Sequence, residues 1–123
     1  MMAWTSEELT RIGTAGEMRI ASLRSDGTLR SPVTIWVVRL GDELYVRSVN
    51  GRTAAWFRGA EVRHQGHIRA GGVDKDVTFL EADEALNDRI DAEYRSKYGT
   101  SSSAVNRITS AEARSTTLEL VPR

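Results

Sequence analysis

Six consecutive residues, Val33 to Val38, form the most apolar run of the chain and are mostly β-branched or aromatic. Residues of these types favour β-strands, and a strand that is apolar on both sides needs cover on both faces. Gly41 and Asp42 then provide a tight turn into a second strand from Leu44 to Val49, so the two strands form an antiparallel hairpin. The chain is therefore expected to fold around a sheet that is covered on both faces.

The other segments alternate between helix and strand patterns with short turns between them. The expected elements are, in chain order, a helix from Thr5 to Gly13 or Gly16 that opens with a Thr5–Glu8 capping box, a strand from Met18 to about Leu23, a short helix over Thr53 to Ala60, a hairpin of His67 to Ala70 and Val73 to Leu80, a long helix over Asp83 to Tyr98, and a strand over Thr116 to Val121. The polar, serine-rich segment from Thr100 to Ser110 is expected to be a mobile loop. Strands joined by tight turns pair antiparallel, and the separated helices indicate an α+β or barrel architecture.

Length and composition bound the class of protein. A chain of 123 residues has room for one domain, so residues 1–123 are expected to form a single unit. Lys plus Arg and Asp plus Glu each number 17, whereas proteins that bind nucleic acid or anionic membranes usually carry a basic excess. The absence of cysteine excludes disulfides, thiolate metal sites and a Cys nucleophile. No signal peptide and no membrane-spanning run is found, so a soluble, cytoplasmic protein is expected, with neither nucleic acid nor membrane as its partner.

The usual catalytic constellations are not found in the sequence. His64 and His67 are three residues apart and could share a metal on a helix, but His67 begins a predicted strand and no carboxylate follows at ligand spacing. Both histidines are therefore interpreted as surface or rim residues, and no metal ligand is predicted. Arg58, Arg63 and Arg69 are interspersed with acidic residues and are interpreted as part of a solvated face.

A candidate anion site lies where a predicted strand runs into a predicted helix. Gly51 would let the backbone approach a ligand, and Arg52 could donate a pair of hydrogen bonds to phosphate oxygens. The start of the helix adds unpaired N–H groups and a partial positive charge. The alternative is that Asn50 and Gly51 only turn the chain while Arg52 points into water, and spacing alone does not decide between the two.

Two tryptophans leave a similar choice open. Trp36 lies in the apolar run, and Trp56 lies in the short helix. Either ring could flank a planar ligand, and either could simply belong to the core of a small β-protein.

A resemblance to a known superfamily rests on several of these segments together. They are Leu29–Trp36, Leu44–Ser48, Asn50–Arg52, Trp56–Phe57, Gly71–Phe79 and Tyr94–Gly99. Through them the chain resembles the flavin-binding split barrels, in particular the deazaflavin-dependent nitroreductases and more distantly pyridoxamine-phosphate oxidase. Nearly the whole chain also resembles an uncharacterised bacterial family grouped with these barrels. The resemblance implies an α+β, mainly β, fold: an antiparallel split β-barrel of about six strands with flanking helices. The face of the long helix formed by Leu86, Ile90 and Tyr94 is expected to pack on this barrel.

The resemblance also implies where a cofactor would lie. In the resembling enzymes the ring of FMN or a deazaflavin lies against the strand that corresponds to Val33–Trp36, and the phosphate is held by the next strand and turn. The implied cofactor-binding residues are Val33, Thr34, Ile35, Trp36, Arg47, Ser48, Asn50, Gly51, Arg52 and Trp56. The nitroreductases have a glycine-rich and basic loop where this chain has the shorter Leu23–Gly27, and Asp26 there would repel a phosphate.

The function that the resemblance implies is an oxidoreductase that uses FMN or a deazaflavin of the coenzyme F420 type and acts on a small molecule. The alternative is a non-catalytic ligand-binding or dimeric scaffold domain of the same fold. A homodimer is expected because a barrel interior covers only one face of Val33–Val38, although the long helix could cover the other face instead. If a flavin phosphate is bound, Arg52→Ala is expected to weaken its affinity about tenfold or more.

Overall fold

Seven strands and five helices are present in a computed structural model that describes residues 3–123. The strands are β1 (Met18–Ser22), β2 (Val33–Ile35), β3 (Val37–Leu40), β4 (Glu43–Val46), β5 (Gln65–Ala70), β6 (Val73–Glu81) and β7 (Leu118–Pro122). The helices are α1 (Ser6–Thr14), α2 (Ala55–Arg63), α3 (Asn87–Tyr98), α4 (Ser103–Ile108) and α5 (Ala111–Arg114), with 3₁₀ turns at Gly51–Thr53 and Glu84–Leu86. All strand pairs are antiparallel, in the order β2-β1-β5-β6-β7-β4-β3.

The apolar run does not form one strand. It is divided at Trp36 into β2 and β3, which stand at opposite ends of the sheet order. One short stretch of chain thus joins the two edges and leaves a nearly closed barrel, the antiparallel split barrel with flanking helices that the resemblance implied. The break also accounts for seven strands where about six were expected.

Both faces of β3 are buried, each by a different part of the chain. Val37 belongs to the cluster that fills the barrel, and its neighbour Val38 belongs to a second cluster under α3. In that second cluster Val38 packs with Tyr45, Ile90, Tyr94 and Ile108, and Leu86 lies at its margin. The predicted apolar face of the long helix is confirmed, and this helix provides the cover that β3 needs.

The prediction of a mobile loop from Thr100 to Ser110 is wrong. Most of this segment is α4, which begins where the Ser102 hydroxyl accepts a hydrogen bond from the amide of Val105 at 3.1 Å. Ser110 likewise accepts from the amide of Ala113 at 3.3 Å and begins α5. The serines that suggested a loop are N-caps, which is the position where serine stabilises a helix. Burial of Val105 and Ile108 holds α4 in place.

The predicted start of α1 is confirmed. The amide of Glu8 donates to the Thr5 hydroxyl at 3.1 Å, and the amide of Thr5 donates to the Glu8 carboxylate at 2.9 Å. Among residues 3–123, no helix is long and apolar enough to cross a membrane.

Candidate functional site

A cavity of about 460 Å³ lies where β2 meets β3, and the end of β4, the start of α2 and α4 complete its walls. We call it the main cavity. Its lining residues are Val33, Thr34, Ile35, Trp36, Arg47, Ser48, Val49, Asn50, Ala54, Ala55, Trp56, Ala104, Arg107 and Ile108. This volume is within the range of sites that hold drug-sized ligands and cofactors. The structure therefore brings together eight of the ten sequence-predicted site residues and leaves out Gly51 and Arg52.

The ring of Trp36 forms a fixed wall of the main cavity. It stacks on Tyr98 with ring centroids 4.0 Å apart and planes 5° from parallel. The Tyr98 hydroxyl donates to the carbonyl of Gly16 at 3.1 Å, and the Tyr94 hydroxyl donates to the carbonyl of Trp36 at 3.1 Å. Because both the backbone and the ring of Trp36 are held, its free edge and face are preorganised for a planar ligand.

Trp56 contributes a second aromatic surface, but most of its ring is in the core. It is 6% exposed and meets Phe57 edge-to-face, with centroids 5.9 Å apart. The two tryptophans thus differ: Trp36 is half-buried on the cavity wall, whereas Trp56 belongs to the barrel core and reaches the cavity at its margin.

Arg47 is a structural residue rather than an open anion receptor. Its guanidinium is fully buried and donates at 2.5 Å to the Asp91 carboxylate, at 2.9 Å to the Thr117 hydroxyl and at 3.1 Å to the carbonyl of Ile108. Its remaining donors go to the side-chain and main-chain oxygens of Asn87, at 3.1 and 3.2 Å. An arginine has five N–H donors, so none is left for a ligand.

Ser48 differs from Arg47 in having an unused polar atom. Its hydroxyl is buried and has no hydrogen-bond partner within residues 3–123, while its amide donates to the Thr116 hydroxyl at 2.8 Å. Buried hydroxyls in native proteins are nearly always paired, so an unpaired one beside a cavity indicates a missing partner. A ligand in the main cavity could supply that partner.

Arg107 was missed by the sequence reasoning. Arg107 lines the main cavity, and its guanidinium donates to the side-chain oxygen of Asn50 at 2.7 Å. It was missed because its segment was interpreted as a mobile loop, whereas α4 holds it against the turn after β4. The sequence offered only a weak signal for it, the three-residue spacing of Val105 and Ile108 after Ser102 as N-cap.

Gly51 and Arg52 lie next to the main cavity but make other contacts. Gly51 has a positive φ of 78°, and the side chain of Glu112 fills the space where a Cβ would stand. Arg52 donates to the carbonyl of Ser115 at 2.9 Å and to the Glu61 carboxylate at 2.6 Å. The structure thus gives Arg52 an ion-pair partner on the surface and does not bring it to the cavity wall.

The first turn of α2 is electropositive and borders the main cavity. Its N-cap, Ala54, has no side chain that could accept a hydrogen bond, and the first turn carries no acidic residue. Ala54, Ala55 and Trp56 all line the cavity. The unpaired N–H groups of a helix start favour an anion nearby, so this wall suits a negatively charged group.

The two histidines are placed apart from the main cavity. His64 ends α2 in a left-handed conformation with φ of 58°. His67 lies between Asp74 and Asp76 on neighbouring β6. Burial opposes its protonation, but hydrogen bonds to Asp76 and Asp74 outweigh burial and raise its pKa. Across the described residues, no group of three or more potential ligands could hold a metal ion.

Comparison with known proteins adds a family and a set of structural relatives. The family model described as "Uncharacterized protein conserved in bacteria (DUF2255)" matches residues 8–120. No curated protein matches the chain by sequence.

Several solved structures share the fold. HutZ, the heme storage protein from Vibrio cholerae, superposes with a TM-score of 0.66 at 15% identity, over 99% of this chain and 92% of its own. An F420 reductase superposes with a TM-score of 0.58 at 14% identity, over 94% of this chain and 90% of its own. A FAD-binding protein from Mesorhizobium loti superposes with a TM-score of 0.58 at 13% identity, over 98% of this chain and 91% of its own. At these identities the likeness establishes the architecture.

Proposed function

We propose that this chain, which belongs to the DUF2255 family of bacterial proteins and has the fold of the flavin-binding split barrels, binds a flavin or deazaflavin in its main cavity and acts as an oxidoreductase on a small molecule. The observation that carries the proposal is a cavity walled by Trp36 whose lining includes Ser48, a residue with a buried, unpartnered hydroxyl. Structural relatives named for F420 and for FAD support the class of cofactor.

The apolar part of the main cavity fits a planar ring system. Val33, Ile35 and Trp36 come from one continuous stretch of backbone, and Ile108 and Ala104 of α4 line the cavity with them. Such a cleft removes a flat heteroaromatic ring from water, which is the main favourable contribution to binding a ligand of this kind. The Ser48 hydroxyl can then hydrogen-bond to a heteroatom of the ring or its side chain.

The polar part of the cavity fits a phosphate group. The uncapped start of α2, the Asn50 amide and the Arg107 guanidinium together offer donors and positive charge. Arg52 could join them only by releasing Glu61, and Arg47 has no donor to spare. In this proposal Arg107 therefore takes the position that the resemblance assigned to Arg47 and Arg52.

The chemistry in this proposal comes from the bound group, which would supply hydride transfer. The chain's own residues bind and orient it: Trp36 fixes the plane of the ring, the Ser48 hydroxyl hydrogen-bonds to one polar atom of the ligand, and α4 excludes water from one side. None of the residues that line the main cavity is a carboxylate, histidine, lysine or tyrosine. Proton transfer by the protein is therefore not part of the proposal.

The second candidate is a carrier or scaffold that binds the ligand without turnover. The same lack of a titratable side chain with a pKa near neutrality on the cavity wall favours it, because a general acid or base is the usual sign of an active site. One structural relative is named as a heme storage protein, which supports this second candidate.

Titration of the purified protein with FMN and with F420 tests the proposal. Trp36 makes binding visible, because a flavin stacked on it would quench its fluorescence. A Trp36→Phe variant should lose that share of the quenching and keep the share of Trp56, which also reaches the cavity. Ser48→Ala should weaken affinity about tenfold, the value of one buried hydrogen bond to a polar ligand atom. Ser96→Ala, which removes an exposed hydroxyl on α3 outside the cavity lining, is the matched control and should bind as the wild type does.

The outcomes separate the two candidates. Binding together with reduction of the bound cofactor by a nicotinamide or a small-molecule donor supports the oxidoreductase. Binding without turnover against any tested acceptor supports the carrier, and saturable binding of neither cofactor at millimolar concentration would reject both uses of the main cavity.

A further inference from the structure

A second cavity of about 230 Å³ lies between α1, β3 and α3 and shares no lining residue with the main cavity. We call it the lysine cavity. It is lined by Leu9, Thr10, Gly13, Thr14, Val38, Arg39, Glu93 and Lys97. A lysine, an arginine and a glutamate thus line one small space that the proposed function does not use.

Lys97 is held in this cavity without an acidic partner. Its ammonium nitrogen donates to the carbonyl of Val37 at 2.6 Å and lies 5.1 Å from the centre of the Tyr98 ring. No carboxylate of residues 3–123 lies within ion-pair distance of it. The chain has only one other lysine, Lys75, which is paired with Glu8 at 2.6 Å. The two lysines therefore provide an internal comparison.

The surroundings of Lys97 favour the neutral amine. Burial lowers its pKa from 10.5 to about 8. At pH 7 roughly a tenth of the molecules would then carry the free amine, against about one in three thousand for an ordinary lysine. Partial desolvation is a usual setting of a lysine amine that attacks carbonyl groups.

We propose that Lys97 is a nucleophilic amine that forms an imine with a small carbonyl compound carrying an anionic group. Arg39 is the residue that would bind the anionic group. Its Nε donates to the carbonyl of Gly41 at 2.7 Å, whereas its terminal nitrogens make no hydrogen bond within the described chain. Asp42 is its nearest carboxylate, at 3.8 Å. The cavity, of about 230 Å³, suits a small compound such as a short oxo acid or aldehyde acid.

The reaction is balanced without an oxidant or reductant. The nitrogen lone pair of Lys97 attacks the carbonyl carbon, the C=O electron pair moves to oxygen, and a proton shift gives the carbinolamine. The hydroxyl then leaves as water and the C=N bond forms. The proton that lets the hydroxyl leave as water comes from the solvent.

Reductive trapping with glyoxylate tests the proposal. The full chain is incubated at pH 7 with glyoxylate and cyanoborohydride, which reduces any imine to a stable secondary amine, and modification is read residue by residue by peptide mass spectrometry. We expect Lys97 to react at least about ten times faster than Lys75, the excess that a larger free-amine fraction gives. Because the readout is on the wild type, it does not depend on any variant folding.

Variants assign the roles. Lys97→Arg should abolish the fast modification, and Lys75→Arg should leave it unchanged. Arg39→Gln should slow glyoxylate severalfold and leave uncharged acetaldehyde unaffected. Equal rates at the two lysines would contradict the claim that Lys97 is unusually reactive. An equal effect of Arg39→Gln on both aldehydes would contradict the claim that Arg39 binds the anionic group. Neither result depends on whether the main cavity binds a flavin, so the two proposals fail separately.

Discussion

The guanidinium of Arg47 donates all five N–H groups to protein oxygens in a fully buried position. Removing one member of a buried ion pair leaves the other uncompensated and typically costs about 3–5 kcal/mol. We expect Arg47→Met to lower the free energy of unfolding by about that amount, measured by urea denaturation. Arg52→Met, which removes an exposed pair with Glu61 and an exposed hydrogen bond to the carbonyl of Ser115, should change it by less than about 1 kcal/mol. An equal loss of unfolding free energy in the two variants would contradict the assignment of Arg47 as a structural residue.

Lys97 gives a pH-dependent prediction at the same scale. Its pKa is depressed in the folded state, so the unfolded chain binds more protons between about pH 8 and 10.5 and stability rises with pH across that window. Lys97→Met removes the cost of the buried charge and should be more stable than the wild type at pH 7. We expect the two free energies of unfolding to differ by roughly 1 kcal/mol, a value that already allows for the partial exposure of the side chain.

The measurement is urea denaturation of both proteins at pH 7, 8 and 9.5. The difference should be largest at pH 7 and should shrink towards pH 9.5. A difference that is constant across these values would mean that Lys97 is ordinarily solvated.

Single residues of the site were predictable only where local sequence determines them. Trp36 and Ser48 lie on or next to strands with a clear pattern, so their neighbourhood could be inferred. The role of Arg47 could not be inferred, because its partners Thr117 and Asp91 are 70 and 44 residues away in the sequence. A strand followed by a polar turn is also the same local pattern for a structural arginine and for a ligand-binding one. Arg107 was missed with its helix.

At the scale of elements, β5 depends on one glycine for its pairing. A Cβ at Gly66 would clash with the carbonyl of Ala21 on β1 and with the ring of Phe79 on β6. We expect Gly66→Ala to destabilise the protein by about 1–3 kcal/mol, the usual cost of overpacking. Gly16→Ala is the matched control, because nothing lies within 4 Å of a Cβ there. Thermal denaturation of the two variants makes the comparison, and equal melting temperatures would contradict it.

Elements with strong local signals were predicted, and those with weak ones were not. The Thr5–Glu8 capping box begins α1, and the tight turn at Gly41 joins β3 to β4. The short helix α4 has a single buried pair, Val105 and Ile108, which is too few for a periodicity to stand out. The division of Val33–Val38 at Trp36 follows from barrel closure, which depends on strands far away in the chain.

For the whole molecule, we expect a homodimer whose interface includes the rim of the main cavity. The apolar side chains of Leu29 and Val33 are 44% and 37% exposed on the β2 side of the barrel, and that of Val49 is also exposed. Because α3 already covers β3, the uncovered part of the apolar run is β2. Sedimentation equilibrium at micromolar concentration should give twice the monomer mass of 13.6 kDa. Val33→Glu should shift it to the monomer, and Val62→Glu, an exposed valine on α2, should not.

The central position of β7 has a kinetic consequence. β7 pairs with β4 on one side and β6 on the other, and Leu118 lies opposite Val46 although 72 residues separate them. The hairpins β3–β4 and β5–β6 can form early from local contacts, but the outer edges of β4 and β6 stay unpaired until the loop to β7 has closed. Pairings with such high sequence separation slow folding into the range of about milliseconds to seconds. Refolding after dilution from denaturant is therefore governed by the docking of this one strand, and half-formed barrels with open edges are the species in which aggregation would begin.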